Sequence, residues 1–206
     1  MIPPLAAAVL MVGAASAARP PTDYRAVVHR SAAAELEALN ARGRFEDVRA
    51  FGDRFVDRVE PAALVLYEMA YAANRMGEVG PALRLYDRAI TLDPELAVAF
   101  YDRGELHLIQ GDVAQAQADF EAAARLRPDH WAVHFRLAHL AGRQGQAEAF
   151  ETHLLDALRH GFDFRTVMSD PDWEEWARDP TLGRVLRRLI VVYSDESLYE
   201  QLRGAP

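Results

Sequence analysis

Phe100-Tyr101-Asp102-Arg103-Gly104-Glu105-Leu106-His107, then Gly111-Asp112, then Ala116-Gln117-Ala118-Asp119-Phe120 decide the fold of this chain. Apolar and small residues recur at helical spacing on both sides of the glycine, so the stretch reads as helix, tight turn, helix. The glycine itself recurs, because Gly43, Gly77, Gly111 and Gly145 stand 34 residues apart. Tyr86, Phe120 and Leu154 keep that spacing, as do Ala89, Ala123 and Ala157, the small residues Ala70, Gly104 and Ala138, and the pair Pro94 and Pro128. A fixed period of this length marks an array of one supersecondary unit, since a lone helix pair cannot bury its apolar face without a stacked neighbour. The expected fold class is all-α.

On these residues the chain resembles the tetratricopeptide repeat family. The stretch from Ala97 to His130 carries the pattern most fully, with Phe100, Gly104, Gly111-Asp112, Ala116, Phe120, Ala123, Leu126 and Pro128. Ala63 to Leu96 repeats it with Leu66, Ala70, Gly77, Ala82, Tyr86, Ala89, Leu92 and Pro94. Trp131 to Phe164 departs where Phe150 replaces a small residue and Phe162 replaces proline, which suggests a tilted or longer second helix. The earliest copy departs further, with Gly52 at the aromatic place and Phe55 at a small one. The resemblance implies a right-handed α-solenoid of about four helix-turn-helix repeats, spanning 29–62, 63–96, 97–130 and 131–164, within an array over 29–164.

Composition agrees with a packed helical protein: half of the 206 residues are hydrophobic and 26% are charged. A continuous repeat favours one elongated solenoid without an independent second domain. The formal charge of −8 argues against a sequence-independent grip on nucleic acid or anionic lipid. All 23 basic residues are arginine, a bias that a GC-rich bacterial genome produces. With no cysteine, disulfides, thiolate metal sites and thiol nucleophiles are excluded.

Residues 1–18 hold no charge and run Leu5-Ala6-Ala7-Ala8-Val9-Leu10-Met11-Val12, then Ala15-Ser16-Ala17-Ala18. This pattern resembles a secretory signal peptide: too short to span a bilayer, which takes about 20 apolar residues, and followed by small residues that suit a signal peptidase. The expected organisation is a signal peptide over 1–18, a linker over 19–28, the array, and a capping segment over 165–206. The mature chain is expected in the periplasm or secreted, with no membrane anchor after cleavage.

Helix is expected from about Tyr24 to Leu39, and again from about Phe45 to Val59. Asp93-Pro94 reads as a helix start, with the Asp accepting from free amides and Pro in the first turn. After His160 the period fails and the chain reads Gly161-Phe162-Asp163-Phe164, then Asp170-Pro171-Asp172-Trp173-Glu174-Glu175-Trp176, then Asp179-Pro180-Thr181-Leu182. This resembles the end-of-array segment of bacterial tetratricopeptide proteins. Both Asp-Pro pairs read as helix starts, the first for a short helix with Trp173 and Trp176, the second for a longer one with Leu182, Val185, Leu186, Leu189 and Ile190. Covering the last apolar face is their expected task.

Carried onto this chain, the family's groove-facing places hold Leu64, Tyr67, Tyr71, Asn74 and Arg75, then Val98, Tyr101, Glu105, Leu108 and Ile109, then Ala132, Phe135, His139 and Arg143. Tyr67, Tyr71, Tyr101, Phe135 and His139 form the aromatic stripe a peptide groove would use, because aromatics give large contact area at low entropic cost. The competing reading packs these rings against the terminal segments. The lysine-based carboxylate clamp of some family members has no counterpart here, since the chain has no lysine. Glu105 is placed to meet a basic partner side chain, or simply to stand solvated.

His130 and His134 are one turn apart with His139 nearby, but they lack a third clear ligand, so no metal and no cofactor is expected. Asp170, Asp172, Glu174 and Glu175 lack a nucleophile or phosphate loop and read as helix-start acids. His107 reads as a packed ring, and Arg184, Arg187 and Arg188 as a solvated helix face. The function expected is a protein-protein interaction scaffold of the bacterial envelope, binding a protein or peptide segment, with no catalysis. The alternatives are a homodimer through Leu189, Val192 and Tyr193, or an accessory subunit of an envelope enzyme.

Overall fold

The computed structural model describes residues 22–166 and 171–193. The proposed signal peptide and the stretch from Ser194 to Pro206 lie outside the described residues. Every regular element among the described residues is helical: α1 (Thr22–Ala41), α2 (Phe45–Val56), α3 (Ala63–Arg75), α4 (Val79–Leu92), α5 (Ala97–Gln110), α6 (Val113–Leu126), α7 (Trp131–Arg143), α8 (Ala147–Arg159), a short 3-10 turn Phe164–Thr166, α9 (Pro171–Arg178) and α10 (Leu182–Tyr193). No described helix is long and apolar enough to cross a membrane.

The four repeat glycines do what the period requires. Gly43, Gly77, Gly111 and Gly145 have φ of 69°, 80°, 84° and 68°, a left-handed conformation in which a Cβ would be strained. The residue after each donates its amide to the carbonyl five residues back: Arg44 to Leu39 at 2.9 Å, Glu78 to Ala73 at 2.9 Å, Asp112 to His107 at 2.8 Å and Gln146 to Ala141 at 2.9 Å. One hydrogen-bonding device thus closes the first helix of all four repeats and turns the chain into the second.

Several boundaries differ from the sequence expectation. α1 begins at Thr22, inside the stretch read as linker, and α2 ends at Val56 rather than Val59. Asp93 does not cap α5; its Oδ1 accepts from the amide of Glu95 at 3.0 Å, forming a local turn, and the helix starts only at Ala97. Asp179 does behave as a cap, its Oδ1 accepting from Thr181 at 2.8 Å and Leu182 at 2.7 Å. α8 is not longer than its counterparts: it has 13 residues against 14 in α4 and α6.

Among the described residues packing forms two compact units, divided between Leu106 and His107. The division falls inside α5, which is natural where each repeat packs only on its neighbours. In the first unit α3 pairs with α4, and α3 also packs on α1 and α2. Leu36, Val48, Phe55, Val65 and Met69 form one core, and Ala70, Ala82, Tyr86, Ala99 and Leu106 a second. Gly52 explains how the earliest repeat survives the loss of its aromatic: a Cβ there would lie 2.6 Å from Met69 Sδ, so the methionine occupies the space.

In the second unit α7 pairs with α8, α6 packs on α7, and α10 packs on both α8 and α9. Phe150, Leu154, Phe162, Phe164, Trp173, Trp176, Leu182, Leu186, Leu189 and Ile190 are all buried in one core. Leu189 is 3% exposed, so it cannot face a second chain as the homodimer alternative required.

Candidate functional site

The places read as groove-facing meet different fates in the two units. In the first, Tyr67 stands on α3 with Tyr71 one turn later, and both are half-buried. Tyr67 donates its hydroxyl to Asp102 Oδ2 on α5 at 3.0 Å, and its ring lies 6.0 Å from that of fully buried Tyr86. Tyr101, beside Asp102, and Glu105, one turn on, are half-buried as well. Asn74 is half-buried, while Arg75 is exposed with its guanidinium 5.7 Å from the centroid of Phe45. Leu64 and Val98 are exposed apolar residues on the same two helices.

Two carboxylates of this unit, Asp102 and Glu68, are held partly out of water. Burial pushes the Asp102 carboxyl up to about 6; Glu105 adds to the rise and the Tyr67 hydroxyl opposes it. Burial also raises Glu68, against the hydrogen bond from Asn40, with Glu37 and Asp102 adding repulsion. Asn40 reaches Glu68 twice, from Nδ2 to Oε2 at 2.7 Å and to the backbone carbonyl at 3.0 Å. The Tyr67 and Tyr86 hydroxyls are shifted above the ordinary phenol range, again chiefly by burial and then by Asp102. Glu68 and Asp102 were missed as site residues. A signal for them existed, because both are acids and stand 34 residues apart.

In the second unit the competing reading holds for two of the predicted residues. The Phe135 ring stacks on Trp173 at 5.7 Å with 6° between planes, and lies 4.9 Å from Phe162. His139 Nε2 lies 3.1 Å from Asp172 Oδ2, and its ring meets Trp176 edge-on at 5.2 Å. Both are therefore engaged by α9. Arg143 is exposed. The two departures noted in this repeat form the socket for the tryptophans: Phe150 lies 5.9 Å from Trp173 and 5.4 Å from Trp176, and Phe162 lies 6.2 Å from Trp173. Gly142 completes it, since a Cβ there would come within 2.8 Å of the Trp176 ring.

Histidines of this unit play packing parts. His134 is buried and its Nε2 donates to the Pro128 carbonyl at 2.9 Å, with the His153 and His160 rings stacked 6.3 and 6.1 Å away. Burial, then His134, lowers the His153 pKa. His130 is exposed and stands just before α7, whereas His134 is buried within that helix. His107 is mostly buried, as expected, but in polar company, between Asp119 at 3.8 Å and Asp112 at 4.0 Å. Among the described residues no group of three or more His, Cys, Asp or Glu side chains is placed to hold a metal ion.

Comparison with known proteins agrees with this architecture. Residues 85–118 match the tetratricopeptide repeat family model. The chain is 35% identical over 98 residues to a TPR repeat-containing thioredoxin, TTL4, of Arabidopsis thaliana, a match covering 48% of this chain and 13% of that protein. It therefore spans about an eighth of that relative's length. Among solved structures, YrrB, a TPR protein with an unusual peptide-binding site, superimposes with a TM-score of 0.61 at 14% identity, covering 82% of this chain and 89% of YrrB. MamA gives 0.59 at 18% identity, over 64% of this chain and 77% of that one. The fold is all-α, of the class of tetratricopeptide solenoids. Residues 85–118 are a match to the tetratricopeptide repeat, and beyond them the chain is similar to tetratricopeptide repeat proteins in fold.

Proposed function

We propose that this protein is an interaction scaffold or adaptor that binds an extended or helical segment of a partner protein on the α3 and α5 face of its first unit. The tetratricopeptide fold supports a role in protein-protein interaction. The observation that carries the specific reading is the half-buried state of Tyr67, Tyr71 and Tyr101, with exposed Leu64 and Val98 beside them. Rings held in place yet partly open to solvent supply contact area with little further loss of freedom, which is what binding hot spots use. Asn74, Arg75 and Glu105 add polar contacts at the edges. Phe135 and His139 serve the packing of α9 in this reading.

An envelope location is part of the proposal, on the strength of the apolar Leu5 to Val12 run and the small residues Ala15 to Ala18. N-terminal sequencing of the protein from its native host tests it: a start at Ala18 or Arg19 is expected, and intact Met1 in the cytosolic fraction would overturn it. The reading assigns the chain no reaction of its own. Self-association is a second reading, resting on Val191, Val192 and Tyr193, which are 59%, 67% and 44% exposed at the end of α10.

The binding face is tested by placing a photoreactive amino acid at Tyr71 or Tyr101, and at exposed Arg84 as a control, in the native host. A defined cross-linked partner from the tyrosine positions and none from Arg84 is the expected result. Equal cross-linking from all three would sink the assignment.

A further inference from the structure

Three histidine rings of the second unit are neighbours. His134 on α7 is 8% exposed, and its ring centroid lies 6.3 Å from that of His153 on α8 and 6.1 Å from that of His160, just past α8. His134 Nε2 donates to the Pro128 carbonyl at 2.9 Å, while its Nδ1 is buried with no hydrogen-bond partner. The Nδ1 of half-buried His153 is buried and unpartnered as well. An imidazolium carries an N–H on both nitrogens, so charging either ring would bury a donor that has no acceptor. Like charges at the spacing of these rings also repel.

Charged groups around the cluster do little to offset this. Glu121 of α6 and Asp156 of α8 both favour a charged His153, yet Asp156 bonds Arg159 Nη1 at 3.3 Å and Glu121 accepts from Gln117 Nε2 at 2.9 Å. Burial, then His134, outweighs them and lowers the His153 pKa. Between α6 and α7, Asp129 is held by Arg127 at 3.2 Å and is also acted on by His160. On α7 itself the Arg136 guanidinium lies over Phe135, and His130 is exposed just before the helix.

We propose that His134, His153 and His160 form an acid-sensitive latch, whose neutral rings hold α8 against α7 and whose protonation loosens that packing. The device reaches the cap. Phe150 of α8 meets both Trp173 and Trp176, and α10 packs on α8, so loosening α8 opens the socket that α9 fills. Linkage gives the sign: a histidine lowered from 6.5 in the folded state stabilises the fold fully above that value, and the contribution is lost as pH falls through the folded value. Asp102 of the first unit works in the opposite sense, because its raised carboxyl favours the folded form in acid.

The full-length protein carries its own probe, since its three tryptophans, Trp131, Trp173 and Trp176, all stand in the second unit. Urea unfolding followed by tryptophan fluorescence should be compared for the parent and His153→Gln, which is neutral at both ends of the range, at about pH 8 and about pH 5, where histidine changes charge. The parent's midpoint should drop relative to the variant's on acidification. A gap between the two that stays constant, or moves in the parent's favour, would overturn the latch. NMR titration of isotope-labelled histidine rings in the parent decides independently of whether the variant folds. Protonation of His134 and His153 that coincides with a change in tryptophan emission supports the proposal, and protonation of both rings with native emission retained would overturn it.

Discussion

Trp173 and Phe135 lie with their rings nearly parallel, 6° between planes and 5.7 Å between centroids. This contact ties α9 to α7 in the second unit and packs a residue that the repeat pattern assigns to binding against the core of the cap. Phe135→Ala should therefore lower stability, by about 3 kcal/mol at most, since the ring is half-buried and packs against the core from its edge. Urea denaturation followed by circular dichroism measures the loss. Gly142→Ala should also destabilise, by about 1–3 kcal/mol, because the added methyl overlaps the Trp176 ring. Since both substitutions act on one cluster, their effects together should fall short of the sum.

This socket shows which part of the molecule was legible in the sequence. Spacing of the repeat glycines gave the helix pairs, because a left-handed turn is a local requirement that only glycine meets cheaply. Phe150 and Phe162 were visible as departures from the period, but their purpose was not. Each becomes intelligible only beside Trp173 and Trp176, from a helix whose docking no local pattern encodes. His139 was read as a groove residue for the same reason: its pairing with Asp172 is non-local. Conversely, Asp102 escaped notice because its importance comes from burial and the Tyr67 hydroxyl, neither of which periodicity reports.

Asp102 gives the first unit a pH dependence with a definite sign. Its folded-state pKa of about 6 lies above the ordinary value of 3.8. A raised carboxyl favours the protonated folded form, so its contribution is fully present below about pH 4 and is lost as pH rises through about 6. Asp102→Asn removes the charge while keeping an acceptor for Tyr67. The variant should be more stable than the parent at pH 8, by no more than about 3 kcal/mol, and the gain should vanish below pH 4. Paired urea titrations at the two pH values decide it, and an advantage that grew on acidification would contradict the assignment.

Leu189 distinguishes capping from self-association. Buried in the second unit's core, it should tolerate no charge: Leu189→Asp lowers stability through an unpaired buried carboxylate without altering the mass in solution. Val192→Asp, on an exposed residue, should leave stability unchanged, and it should change the mass only if α10 is a contact between copies. Light scattering of the two variants and the parent separates the cases. A mass that falls on Val192→Asp would establish the dimer and restrict it to the exposed end of that helix.

The tyrosines of the first unit carry the functional proposal, and the choice of variants follows from their packing. Tyr67→Ala would remove both a ring and the hydrogen bond to Asp102, so lost binding could reflect a shifted α3 against α5. Tyr67→Phe removes only the hydroxyl and serves as the probe at that place. Tyr71→Ala and Tyr101→Ala are the cleaner ring deletions, since both side chains are half-buried and neither belongs to the cores of this unit. A hot-spot aromatic is worth ~2 kcal/mol, so each deletion should weaken capture of the partner segment by roughly thirtyfold. Arg84→Ala, at an exposed position of α4, should change it little. Isothermal titration gives the affinities, and circular dichroism checks that helicity is kept. Undiminished binding by the Tyr71→Ala, Tyr101→Ala double variant, with an unchanged spectrum, would strip both rings of a binding role and overturn the reading that rests on them.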